Sequence, residues 1–182
     1  SHNQSIQRQC LEGLVYGLSR GSGKLETSSR DWSAVTKLIA SPSPKVRGHA
    51  IRLGGLLNLA ETPEMKALFA EAVDDAQDES ATLDDRQMAV RILASAPFGT
   101  LSPVATPLLE PQQPIELQLA AIEALGASDD DGVAELLLAN WKNSTPRIRT
   151  AILDVFFSLN SRLPALLDAI ENKTVHPSDI AL

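Results

Sequence analysis

The sequence predicts an all-α fold of stacked helix pairs, on the basis of its composition and of a phrase that recurs along the chain. Of the 182 residues, 43% are hydrophobic but only 4% are aromatic, so the core must be built mainly from Leu, Ala, Ile and Val. Leu and Ala favour helices, and runs of alternating β-branched or aromatic residues, which are typical of strands, are missing from the sequence. We therefore expect helices alone.

The recurring phrase predicts how these helices are organised. Its four copies begin at Pro44, Asp84, Pro114 and Pro146. They align on a long polar side chain, at Arg47, Arg86, Gln118 and Arg149. The intervals are 39, 32 and 31 residues, a period typical of stacked helical repeats. We expect a right-handed α-α superhelix, a solenoid of four to five helix pairs in which each pair buries its apolar face against the next.

The N-terminal part contains two predicted helices with clear boundaries. Ser5–Leu18 has apolar residues at helical spacing and is expected to cap the stack. Asp31 is expected to N-cap a helix through Trp32–Ile39. Pro42 ends that helix, because the residue before a proline avoids helical geometry.

Prolines then open two further helices. Pro44 suits the first turn of a helix over Pro44–Leu59, because its missing N–H would have no partner there. Thr62 caps a helix that starts at Pro63 and runs to Val73, and an acidic linker follows over Asp74–Glu79.

The C-terminal half continues this pattern with one weak stretch. Asp84 and Asp85 are expected to cap the helix that carries Arg86. Residues 97–114 hold five of the 11 prolines, so only a short helix around Val104–Leu109 is expected there. The other expected elements are helices over Leu83–Ala96, Ile115–Leu125, Val133–Trp141 (capped by Asp129–Asp131), Pro146–Phe156 and Arg162–Asn172, and an extended tail over Val175–Ile180.

We expect a single domain over residues 3–182, with the cap helix at about 5–18 and the repeats at about 31–172. Ser1-His2 resembles a tag remnant, which suggests an excised domain. The sequence shows no signal peptide and no apolar run near the ~18 residues that span a bilayer. Direct membrane insertion is therefore not expected.

The net charge of −7 disfavours nucleic acid as a partner. An acidic chain repels phosphate backbones unless it concentrates Lys and Arg on one face. The single cysteine, Cys10, cannot form an internal disulfide.

The aligned row of Arg47, Arg86 and Arg149 is the most informative candidate site. Either each arginine pairs with a carboxylate or carbonyl in an adjacent turn, which we favour, or the row forms an anion-binding stripe on a concave face. Arg147 adds nearby charge to the second interpretation. The candidate concave-face residues are Arg47, His49, Arg52, Arg86, Arg91 and Arg149.

Catalytic, cofactor and metal sites are not expected. Gly21–Lys24 departs from the phosphate-loop spacing, and Lys24 is followed by Leu25 rather than Ser or Thr. Asp129–Gly132 lacks the later glutamate of a calcium loop. The three histidines lack the spacing of a helical zinc site.

At the recurring phrase the chain resembles HEAT-type repeats, whose second helix typically starts Pro-x-Val-Arg-x-x-Ala. Pro44, Val46, Arg47 and Ala50 match this pattern fully, and the other copies match in part. The resemblance covers about Trp32 to Leu159 and implies an armadillo-like α solenoid.

A narrower resemblance lies in segments 148–154, 163–171 and 175–180. These are similar to the HEAT-like region of large planctomycete proteins that combine a membrane-bound dehydrogenase, usually a β-propeller, with a c-type cytochrome domain. This resemblance implies a redox protein of the periplasm or cell envelope as the parent. Haem attachment needs Cys-x-x-Cys-His, so with Cys10 alone we expect no cofactor in this fragment.

These observations predict a non-catalytic scaffold that binds a protein partner or neighbouring domains of its parent chain. Two alternatives stay open at this point. One is a nucleic-acid-binding helical-repeat protein, and the other is a HEAT-type lyase acting on a bilin chromophore.

Overall fold

A computed structural model describes residues 2–20, 32–41 and 43–180. These ranges contain ten α-helices and no strand, which confirms the predicted all-α class. The helices are α1 (His2–Arg20), α2 (Ser33–Ile39), α3 (Pro44–Leu56), α4 (Pro63–Gln77), α5 (Leu83–Leu93), α6 (Phe98–Leu108), α7 (Ile115–Gly126), α8 (Gly132–Asn140), α9 (Pro146–Ser158) and α10 (Leu163–Glu171). Short 3-10 helices lie at Leu59–Glu61, Trp141–Asn143, Asn160–Arg162 and Pro177–Asp179.

The chain divides into two compact units, Ser1–Glu71 and Ala72–Leu182. The first contains α1 to α3 and the start of α4. The second contains the end of α4 and α5 to α10. The single domain expected over 3–182 stays a prediction.

In the first unit, α3 contacts both α1 and α2. Its apolar face, which includes Val46 and Leu53, is buried. α3 ends at Leu56, earlier than expected, because Asn58 adopts a left-handed backbone conformation with φ of 58°. Asn accepts this conformation more readily than most residues, which makes it a natural helix terminator.

In the second unit, α7 contacts both α5 and α9. These three helices begin with consecutive copies of the recurring phrase, so its period places like helices side by side. Ala89 and Ala121 are buried on them and allow close approach, while Leu117, Ile152 and Phe156 fill the core. In addition, α6 contacts α7, and α8 contacts α10.

Two predicted irregular segments are helical instead. The acidic linker expected over Asp74–Glu79 is part of α4 as far as Gln77. Ala76 is fully buried, so the apolar face of the helix extends into this segment despite its charges. The tail expected to be extended forms a 3-10 helix at Pro177–Asp179.

The stretch around Val104–Leu109 was expected to hold only a short helix, and this was wrong. α6 has 11 residues and contains Pro103 and Pro107 in its interior. Each internal proline removes a hydrogen bond and costs about 3 kcal/mol. The helix persists because Leu101 and Leu108, among others, are buried, each contributing about 1.5–3 kcal/mol.

The capping assignment at α5 was also wrong. The N-cap of α5 is Thr82, not Asp84 or Asp85. The Thr82 hydroxyl accepts from the Asp85 N–H at 3.2 Å and donates to the Asp85 carboxylate at 2.7 Å. This reciprocal pairing resembles a capping box.

At α8 the expected carboxylate cap takes a different form. Asp131 occupies the N-cap position without a side-chain capping bond. Asp130 Oδ1 instead accepts from the Gly132 N–H at 2.9 Å. The expected cap at Asp31 and the loop at Gly21–Lys24 lie outside the described residues.

The described helices include none that is both long and apolar enough to cross a membrane.

Candidate functional site

The recurring polar position holds helix ends together in the second unit. Arg86, half-buried on α5, donates from Nε to the carbonyl of Ala76 at 3.1 Å. Ala76 lies in the last turn of α4. Carbonyls at a helix C-terminus lack partners within the helix, and a nearby cation also interacts favourably with the helix dipole. Arg86 therefore fastens the end of α4 to the start of α5.

Gln118 occupies the equivalent position on α7 and also donates to a backbone carbonyl, but with an uncharged side chain. Its side chain is only 5% exposed. Its Nε2 donates to the carbonyl of Gln113, in the turn before α7, at 2.9 Å. The polar group is thus satisfied although it is buried, as a stable core requires.

Arg149 makes the most contacts of the row. It donates from Nε to the Trp141 carbonyl at 3.2 Å and from Nη2 to the Lys142 carbonyl at 3.3 Å. Its Nη1 lies 3.5 Å from a carboxylate oxygen of Asp179. The guanidinium carbon is 5.4 Å from the centroid of the Trp141 ring, a cation–π distance. Arg149 therefore joins the end of α8, the start of α9 and the C-terminal 3-10 helix.

These three side chains make the same kind of bond. Each donates to a backbone carbonyl in the segment that precedes its own helix, 10, 5 and 8 residues earlier in the chain. This is the carbonyl pairing that we favoured from the sequence. Donors used in this way are not directed at an external anion, so the geometry of Arg86 and Arg149 does not match a ligand-binding stripe.

Arg47, the fourth member of the row, is different. Its side chain is exposed, and it has no hydrogen bond or ion pair with any residue that the structure describes. Lys45 and Arg52 are likewise exposed on α3, and His49 is half-buried. The basic side chains of α3 are therefore available to a partner.

Three of these residues form a stripe along α3. At about 100° per residue, Lys45, His49 and Arg52 lie within about 60° of one another around the helix. Leu56, 44% exposed, continues the line. Arg47 lies on the opposite flank. We call Lys45, His49, Arg52 and Leu56 the α3 stripe.

The α3 stripe lies in a basic part of an otherwise acidic chain. Residues 32–60 contain Lys37, Lys45, Arg47 and Arg52 but no Asp or Glu. Residues 1–71 have a formal net charge of +3, with nine basic and six acidic side chains. Residues 72–182 have a formal net charge of −10, with seven basic and 17 acidic side chains. The average charge of the chain conceals this separation.

Within each helix, the candidate residues do not all share one face. On α3, Arg47 lies on the opposite flank from His49 and Arg52. On α5, Arg91 is exposed in the last turn and lies about 140° around the helix from Arg86. Of the α3 candidates, His49 and Arg52 share one stripe.

Sequence reasoning missed Arg162, the most buried charged residue in the described ranges at 5% exposure. Its Nη1 donates to the Val155 carbonyl at 3.1 Å, and Nη2 donates to the Ser128 carbonyl. Both nitrogens also lie 3.4 Å from the Gly126 carbonyl. Burial lowers the pKa of Arg162, and the Asp129 carboxylate partly opposes this. The only sequence signal is a lone cation directly before the apolar run of α10.

Metal-ligand chemistry finds no support in the described part of the chain, where no cluster of three or more His, Cys, Asp or Glu could hold an ion. Cys10 is exposed and free.

Comparison with protein-family models, curated proteins and solved structures finds no match to this chain.

Proposed function

We propose that this chain is a non-catalytic helical-repeat scaffold that binds an acidic segment of a protein partner through the α3 stripe. The observation that carries the proposal is the concentration of unpaired cations on α3. Residues 32–60 contain four Lys and Arg and no acid, although the whole chain has a net charge of −7. Within the described ranges, Lys45 and Arg52 have no ion-pair partner, so a bound carboxylate would not have to displace one.

The proposed mechanism combines charge with a small apolar contact. An exposed ion pair contributes only about 0.2–1 kcal/mol, so Lys45 and Arg52 together support modest, salt-sensitive affinity, and His49 can add a hydrogen bond. Leu56 adds apolar area at one end of the stripe. A Cβ placed at Gly48 would have no neighbour within 4 Å, so the surface beside the stripe is open to a partner backbone. Complementary charge of this kind mainly accelerates encounter and selects the partner.

We also propose that the helices form a right-handed superhelix and that the chain belongs to a larger parent protein. Successive contacts between α5, α7 and α9 are what a right-handed superhelix of four to five helix pairs requires. The resemblance of the C-terminal segments suggests a cell-envelope redox protein as the parent. The full reading frame tests this part: it should encode a propeller upstream and Cys-x-x-Cys-His downstream.

A protein partner is favoured over nucleic acid because of the charge outside α3. Residues 72–182 carry a net charge of −10, which would repel a long phosphate backbone at physiological ionic strength. A short acidic segment is recognised locally and does not meet this repulsion.

The test is fluorescence anisotropy with a short labelled poly-glutamate peptide, at low and moderate salt. We expect Lys45→Gln/Arg52→Gln to weaken binding about tenfold, equivalent to about 1.4 kcal/mol. The control Arg91→Gln/Arg147→Gln removes the same charge from exposed sites in the second unit and should change binding less than about twofold.

Two results would overturn the proposal. One is equal weakening by both double variants, which would mean that only net charge matters. The other is tighter, steeply salt-dependent binding of labelled DNA than of the peptide, which would favour the nucleic-acid alternative.

A further inference from the structure

A shallow groove lies between α6 and α8 in the second unit, with a volume of about 410 Å³. Its floor includes the half-buried Phe98, Ser102 and Leu136. The complete lining consists of Phe98, Ser102, Pro103, Thr106, Gly132, Glu135, Leu136 and Ala139. Most of these side chains are small, so an extended backbone could approach the surface closely.

The two helices meet at one end of the groove. A Cβ at Gly132 would lie 2.6 Å from Cε1 of the Phe98 ring, so a larger residue there would force the ring to move. Phe98 closes that end, and further along α8 the lining consists of Glu135, Leu136 and Ala139. The groove is therefore formed by the packing of α6 against α8.

The two internal prolines of α6 interrupt its regular ladder of backbone hydrogen bonds. Pro103 and Pro107 have no N–H, so neither can donate the regular helical bond to the carbonyl four residues earlier. The affected carbonyls belong to Gly99 and to Pro103, which itself lines the groove. Groups of this kind favour a partner that supplies donors.

Charge determines which kind of donor fits. Residues 92–141, which include α6 to α8, contain no Lys, Arg or His and seven Asp or Glu. Glu135 lies in the lining and is exposed. Asp130 and Asp131 lie at the Gly132 end, where α8 begins. The lining contains no basic side chain, so it could not neutralise a carboxylate of an acidic ligand.

We infer that the α6–α8 groove is a docking site for an extended peptide segment in which Lys or Arg alternates with small apolar residues. The small residues would pack against Phe98 and Leu136. The cationic donors would meet Glu135 and the carbonyls that the prolines leave without helical donors. This site differs from the α3 stripe in its unit and in the sign of its charge, so it does not depend on the proposed function.

The experiment uses the full chain and a labelled peptide of alternating lysine and alanine. We expect Glu135→Gln to weaken binding about fivefold through loss of an ion pair, about 1 kcal/mol. Ala139→Trp should also weaken binding at least fivefold, because it fills the groove from an exposed position on the rim. Circular dichroism and thermal unfolding check that both variants remain folded.

The matched control is Glu123→Gln, which removes an exposed carboxylate of α7 outside the groove lining. It should change binding less than about twofold. Equal weakening by Glu123→Gln, or unchanged binding to Ala139→Trp, would overturn the inference, because either result means general attraction to an acidic surface. Lys45→Gln/Arg52→Gln should not weaken binding of the lysine–alanine peptide. This result distinguishes a failure of the groove proposal from a failure of the α3-stripe proposal.

Discussion

Arg162 connects the C-terminal ends of α7 and α9 through a single guanidinium group. Its partners include the carbonyls of Gly126, Ser128 and Val155 and the hydroxyl of Ser158. A cation at helix C-termini offsets the partial negative charge that accumulates there. Because the side chain is buried, these bonds are shielded from water.

We predict that Arg162→Leu lowers the free energy of unfolding by about 2–4 kcal/mol, because it leaves one buried and two partly buried carbonyls without this donor. Urea denaturation followed by circular dichroism measures this. Arg147→Leu, at an exposed position on α9, should change stability by less than about 0.5 kcal/mol. Equal effects of the two substitutions would contradict the role assigned to Arg162.

Asp78 gives a pH-dependent prediction. The hydroxyl and N–H of Ser80 donate to its carboxylate at 2.6 and 2.9 Å, and these bonds lower the pKa of Asp78 below its ordinary value. Because the folded pKa is the lower one, this contribution to stability is present above the unfolded value and is lost as the pH falls through the folded value. Ser80→Ala should raise the pKa of Asp78 in an NMR titration, and an unchanged pKa would contradict this cause.

The aligned arginine row illustrates what single residues reveal before a structure is known. The repeat alignment identified Arg86, Gln118 and Arg149 as equivalent, and the structure shows equivalent carbonyl bonds at all three. Arg162 belongs to no repeat, and its partners lie up to 36 residues away. A contact of that length leaves no local pattern, so sequence reasoning could not find it.

Helix packing in the second unit depends on glycine where α7 ends. A Cβ at Gly126 would lie 2.9 Å from Cγ2 of Val155. Val155 is buried on α9, and a β-branched side chain in a helix has little rotamer freedom to move aside. The close approach of α7 and α9 therefore requires the absence of a side chain at this position.

We predict opposite effects for two Gly→Ala substitutions. Gly126→Ala should lower the free energy of unfolding by about 1–3 kcal/mol through overpacking. Gly48→Ala, in the middle of α3 with open space around it, should raise it by about 0.5–1 kcal/mol through helix propensity. Thermal and urea unfolding of both variants test this. A stabilising effect of Gly126→Ala would contradict the prediction, because it would mean that Val155 moves aside at little cost.

Sequence patterns located most helices but misjudged α6. Pro44 and Pro146 open α3 and α9 as expected, because proline at a first turn costs no hydrogen bond. Pro103 and Pro107 gave the same residue-level signal but lie inside a helix. Tertiary burial of the apolar face of α6 outweighed the local penalty, and that burial is not visible in one segment alone.

Across the whole chain, charge is separated along the sequence. The first 71 residues carry a net charge of +3 and the remainder carry −10. The two proposed binding surfaces follow this separation, with an acidic partner on the α3 stripe and a basic partner on the α6–α8 groove. Binding at both should weaken as salt rises, because exposed charges are screened.

The most direct test of the central claim compares Arg149→Ala with Arg52→Ala in two measurements on the same proteins, urea unfolding and anisotropy with the poly-glutamate peptide. Arg149 holds helix ends together, and we propose that Arg52 binds the partner. Arg149→Ala should lower the free energy of unfolding by about 1–3 kcal/mol and leave peptide affinity within about twofold. Arg52→Ala should weaken binding and leave stability within about 0.5 kcal/mol. Loss of binding with unchanged stability in Arg149→Ala would contradict the account, because the recurring arginine position would then be a ligand site.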